Sequence, residues 1–112
     1  MIYKLLRPDE WAAFRKLGRF EGSALDRADG FIHFSTAAQA RETAAKHYAK
    51  EDGLILAEVD PAALPSPPRW EPSRGGQSFP HLYAVLPLAS VVRTWTLRLD
   101  EGGRHVFPDD LR

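Results

Sequence analysis

The residues best suited to chemistry cluster around two histidines. In Gly30-Phe31-Ile32-His33-Phe34-Ser35-Thr36, the polar His33 and Ser35 alternate with apolar neighbours. On a strand such residues share a face, so an imidazole and a hydroxyl would look out together. Thr36 and Gln39 have capping-box spacing, which predicts a helix starting at once. Its free N–H groups would open beside His33, a suitable place for a ribose hydroxyl or an anion. The same pattern also fits a half-buried strand histidine followed by an ordinary helix cap.

A second group lies further along the chain. His81 and Tyr83 repeat the shared-face spacing, and a phenol beside an imidazole can orient a ligand or relay a proton. The other reading makes Tyr83 a core residue and His81 a cap at a strand edge. Arg69-Trp70-Glu71 puts both signs of charge around a large aromatic, which suits stacking on a purine or nicotinamide ring. Trp70 could equally anchor the loop to the core, leaving Arg69 and Glu71 in water.

Composition excludes several alternatives. The chain has no cysteine, so thiolate catalysis, disulfides and cysteine zinc sites are out, and a reducing, cytoplasmic setting is expected. The four histidines, His33, His47, His81 and His105, show no ligand spacing, and no metal site is expected. Fifteen basic residues balance fifteen acidic ones without long blocks, so nucleic acid is not an expected partner. The apolar run at the N-terminus is too short for a signal peptide, and none reaches the ~20 residues of a membrane span. No phosphate-cradling glycine loop and no Gly-x-Ser-x-Gly elbow are present.

The elements that must position these groups read as one α+β domain over residues 1–112, a mixed, mostly antiparallel sheet with two main helices. Ile2 to Leu6 predicts a strand. Pro8 to Gly18 carries proline, acidic, basic and glycine signals in helical order, with Trp11, Phe14 and Leu17 facing the core. Arg19 to Asp29 reads as a loop pinned by Phe20 and Leu25. The second helix runs from Ala37 to about Lys50, with Ala37, Ala40, Ala44 and Tyr48 on one side. Gly53 to Asp60, apolar on both faces, predicts an interior strand. Pro61 to Ser78 is proline-rich and irregular, with an extended piece at Arg69 to Glu71. His81 to Leu86 and Arg93 to Leu99 complete the strands, and Arg104 to Phe107 makes a short last segment.

Taken together, Gly30 to Thr36, Arg69-Trp70-Glu71, and Phe79-Pro80-His81-Leu82-Tyr83 with Leu86-Pro87-Leu88 resemble the bacterial family called domain of unknown function 952. The resemblance runs from the Tyr3 strand to about Val92. It implies an ADP-ribosyltransferase-like fold, in which a strand carrying His-x-Ser receives NAD; His33 and Ser35 look like that pair. The implied ligand is NAD, as a substrate rather than a bound cofactor, or an ADP-ribosyl compound, with transfer or hydrolysis at the ribose. On this reading His33, Glu71 and Tyr83 are the catalytic candidates, and Ser35, Thr36, Arg69, Trp70 and His81 contact the ligand. The superfamily's late catalytic Glu has no matching motif here; Glu71 is the best-placed carboxylate and Glu101 the alternative. The competing expectation is a non-catalytic ligand-binding or interaction module on the same fold, with oligomeric state open.

Overall fold

A computed structural model describes residues 1–111, apart from the side chain of Arg74. Strand β1 (Ile2–Leu6) is followed by α1 (Pro8–Leu17), β2 (Arg19–Phe20), α2 (Ala24–Asp29), β3 (Ile32–His33) and α3 (Ala37–His47). The second half holds β4 (Leu54–Val59), β5 (Arg69–Pro72), β6 (Ser78–Leu82), β7 (Leu86–Pro87) and β8 (Val91–Leu97). Three sheets result, in the orders β1-β4-β8, β2-β7 and β3-β6-β5.

The central β4 lies between β1 and β8, as its two apolar faces predict. Alternation divides the core between those faces. Ile2, Leu6, Ile55, Ala57 and Val59 pack with Phe14, Phe20, Phe34 and Leu82 on one side. Tyr3, Leu5, Leu54 and Leu56 pack with Ala40 and Ala44 of α3 on the other. Because Lys4 alternates with Tyr3 and Leu5, it shares the side of Ile2 and Leu6 and is only 4% exposed. An ammonium there must find a carboxylate, and that need shapes the site described below.

Helix starts follow the sequence signals. Thr36 accepts from the Gln39 backbone N–H at 3.2 Å while the Gln39 side chain accepts from the Thr36 N–H at 3.0 Å. Gly18, at φ 77°, closes α1 in the left-handed conformation that glycine adopts without a Cβ penalty. α3 ends at His47, short of Lys50, with the Tyr48 N–H donating to the Ala44 carbonyl at 2.9 Å.

The expected architecture needs four corrections. Every strand pair is antiparallel, so among the described residues no mixed sheet exists. Among the described residues a third α-helix joins the two main ones, because Arg19 to Asp29, expected as a loop, forms β2 and the six-residue α2. Ser23 and Asp26 close a capping box over α2, and so short a helix shows no apolar period. Leu17 and Leu25 are 61% and 51% exposed, leaving Phe14 and Phe20 to make the core contacts. β6 starts at Ser78 and includes Pro80, which sequence rules disfavour in an inner strand; its carbonyl still accepts from the Phe34 N–H at 3.0 Å.

Ala40 and Ala44 are buried where α3 lies on the sheet, so larger side chains there would force the helix outward. Ala44→Leu is expected to cost ~1–3 kcal/mol in urea denaturation, whereas Ala45→Leu on the exposed side should stay within about 0.5 kcal/mol of the parent.

Candidate active site

Three short elements, β1, α2 and β3, meet at one carboxylate. Lys4 Nζ donates to Asp26 Oδ1 at 3.2 Å, to Asp26 Oδ2 at 3.0 Å and to the His33 carbonyl at 2.8 Å. Asp26 Oδ1 also accepts from the His33 backbone N–H at 3.1 Å and from His33 Nδ1 at 2.6 Å. Its Oδ2 accepts from the Ser23 N–H at 2.9 Å. Burial would push the Asp26 carboxyl up. The His33 hydrogen bond, the Lys4 charge and the two backbone N–H groups outweigh it and hold the group well below the usual carboxylate range. Burial likewise pulls the Lys4 ammonium down, and the charge and hydrogen bond of Asp26 oppose that pull.

The register of the β3-β6-β5 sheet then sets the second group beside the first. His33 pairs directly across from His81, and His81 from Arg69. Glu71 and Tyr83, two residues on from Arg69 and His81, share that face. Their contacts agree: Glu71 Oε1 accepts from His81 Nδ1 at 2.7 Å and from the Tyr83 hydroxyl at 2.8 Å. These two hydrogen bonds, that of His81 foremost, lower the Glu71 carboxyl, and the bond to Glu71 raises the Tyr83 phenol. The Arg69 guanidinium lies 4.6 Å from the Tyr83 ring centroid.

Phe31 holds the rings together. It stacks on His81 at 4.1 Å between centroids and touches His33 at 4.6 Å and Tyr83 at 5.2 Å. The two imidazoles stand edge to face, 5.5 Å apart. His33 Nε2 meets Asp29 Oδ2 at 2.9 Å. Among the described residues, His81 Nε2 has no hydrogen-bond partner.

Both imidazoles line one cavity of about 280 Å³ with Asp26, Asp29 and Ser35. Lys46 and His47 of α3 and the apolar Leu25 and Phe79 also line it. Ser35 Oγ is 3.0 Å from Thr43 Oγ1.

The candidates from sequence therefore divide. His33, Ser35 and His81 converge on the cavity. Glu71 and Tyr83 do not line it and touch it only through His81, and Arg69 lies over Tyr83. Strand alternation puts Trp70 on the opposite face of the sheet, 53% exposed. Thr36 lies in a separate depression with Ala37, Arg41 and Glu58. Glu101 sits in the turn after Leu99, away from the cavity. Lys4, Asp26 and Asp29 escaped sequence reasoning; the Ser23-to-Asp26 box and the lysine inside an apolar strand were the available signals. Among the described residues, no group of three histidine, aspartate or glutamate side chains is arranged to hold a metal ion. No described helix is long and apolar enough to cross a membrane.

The family resemblance is borne out: over residues 5–94 the chain matches, and belongs to, the family described as protein of unknown function (DUF952). It is similar to the X-ray structure of protein CC0527 from Caulobacter crescentus, with 48% identity over 94% of this chain and 92% of that one, at a TM-score of 0.88. The solution NMR structure of CC0527 aligns with 50% identity over 92% of this chain and 89% of that one, at a TM-score of 0.82. No protein with a curated description matches.

Asp26 is depressed in the folded state, so its stabilisation is complete above the unfolded carboxylate value of about 4 and is lost as pH falls toward the folded value. Urea denaturation from about pH 7 down to about pH 3 should show stability falling with acid, and falling less steeply in Asp26→Asn. At neutral pH, Lys4→Met should cost ~3–5 kcal/mol because it strands a buried carboxylate.

Proposed function

We propose that the cavity binds the ribose of NAD or of an ADP-ribosyl compound, on an ADP-ribosyltransferase-like fold. The observation that carries this reading is the meeting of His33, His81, Asp29 and Ser35 in the lining of one cavity, together with the apolar Leu25 and Phe79. Sugar hydroxyls both donate and accept, so they need neighbouring groups of both kinds. Imidazoles, a carboxylate and a hydroxyl supply them.

Size and charge point the same way. Small-molecule sites run from roughly 300 to 1,000 Å³, so 280 Å³ suits a sugar with one ring attached and leaves the rest of a dinucleotide at the mouth. Lys46 on α3 gives a cation for a phosphate there. His33 Nε2 meets an oxygen on the ribose, Ser35 lines the cavity, and Asp29 faces positive charge developing on the sugar. Glu71 serves the site through His81, whose ring it orients.

Isothermal titration with NAD and with ADP-ribose is the direct measurement. The wild-type protein should release or absorb heat with at least one of them. His33→Ala should weaken that binding about ten- to a hundredfold, the value of a hydrogen bond to a charged group. Silence with both ligands at about millimolar concentration removes the proposal.

A further inference from the structure

We infer that His33 and His81 work as an acid and a base on one ligand, and that the bond they cleave joins the ribose to an oxygen leaving group. This rests on the ribose-binding reading above and narrows its substrate class.

The two rings occupy opposite hydrogen-bonding situations although they are cross-strand neighbours. His33 faces a carboxylate at each nitrogen, Asp26 at 2.6 Å and Asp29 at 2.9 Å. A carboxylate only accepts, so both contacts are hydrogen bonds when the ring carries both protons. His81 has a carboxylate at Nδ1 alone. Glu71 already accepts from Tyr83, so it takes the Nδ1 proton of His81 as well and fixes the tautomer with a lone pair on Nε2. Of the imidazoles lining the cavity, His33 is thus able to give a proton and its neighbour His81 to take one, the arrangement that general acid–base catalysis needs.

That pairing discriminates between leaving groups. A nicotinamide bound through its pyridinium nitrogen departs as a neutral ring and needs no proton. An alkoxide is a poor leaving group and needs one as the bond breaks. In the hydrolysis, His81 Nε2 takes a proton from water, and the water oxygen bonds to the anomeric carbon of the ribose. The bond from that carbon to the leaving oxygen breaks, its electron pair stays on the oxygen, and His33 Nε2 supplies the proton. His33 ends neutral and His81 charged, and exchange with solvent restores both. Asp29 Oδ2 occupies the position on His33 that the leaving oxygen would take.

The test uses a peptide carrying ADP-ribose through a serine oxygen, with NAD as the pyridinium comparison, and measures ADP-ribose released by chromatography. The peptide should be cleaved at least about tenfold faster than NAD. His81→Asn, which retains a donor for Glu71, should cut that rate about a hundredfold. Its urea denaturation midpoint should match that of the wild type, showing that the fold around the site still forms. Three results overturn the inference while leaving ribose binding intact: ADP-ribose binds but the peptide is not cleaved, NAD is cleaved as fast as the peptide, or His81→Asn keeps full turnover. Binding of neither NAD nor ADP-ribose by the wild-type protein overturns both readings together.

Discussion

The ion pair between Lys4 and Asp26 is the constraint to which the rest of the site answers. Each side chain is almost wholly removed from solvent, 5% and 2% exposed, and stripping water from two ions costs several kcal/mol apiece. Such a pair survives only with its remaining hydrogen-bonding capacity filled. Here Lys4 also reaches the His33 carbonyl, and Asp26 takes the Ser23 and His33 N–H groups as well as the His33 ring. The backbone of Asp26 is engaged too, its carbonyl accepting from Gly30 at 2.8 Å and Phe31 at 3.2 Å. One residue therefore ends α2, turns the chain into β3 and fixes an imidazole. Gly30, at φ 86°, makes that turn possible.

The second imidazole is placed by a different device. Antiparallel register puts His81 opposite His33, and strand alternation brings Glu71 and Tyr83 to the same face, where Glu71 holds the His81 ring. Side chains on paired strands hold their spacing better than side chains on loops, so the two rings keep a stable mutual distance. Helices α2 and α3 also contribute to the cavity lining. α3 lies close to the sheet because Ala40 and Ala44 are small, which brings Lys46 and His47 to the cavity.

What was legible in the sequence follows the range of the interaction. Local signals were read well: the Ile2–Leu6 strand, Gly18 closing α1, the Thr36 and Gln39 box, and the extended Arg69 piece all appear. His33 and Ser35 do share the cavity, because alternation is also a local rule. The pairing of Lys4 with Asp26 spans 22 residues, and that of Glu71 with His81 spans 10 across a strand pair, so no local rule reports either. Trp70 shows the opposite failure. Its neighbours suggested a stacking surface, but alternation along β5 turns it away from the residues it adjoins in sequence. α2 was missed because six residues are too few for a period, although its capping box was present in the letters.

The two aspartates on His33 differ in one respect that decides what each can do. Asp26 is held by five hydrogen bonds and is sealed from water, so moving it would break the ion pair and unpick the end of α2. Asp29 is 43% exposed and stands at the last position of a short helix, where the helix dipole does not favour a negative charge. Exposed pairs of this kind contribute roughly 0–1 kcal/mol, well within what one ligand hydrogen bond can replace. An arriving oxygen can therefore take the Nε2 position at small cost, while Nδ1 stays anchored and the ring keeps its aim. The same imidazole is thus fixed on its buried side by Asp26 and held on its open side only by the exposed Asp29, as the proposed ribose binding requires.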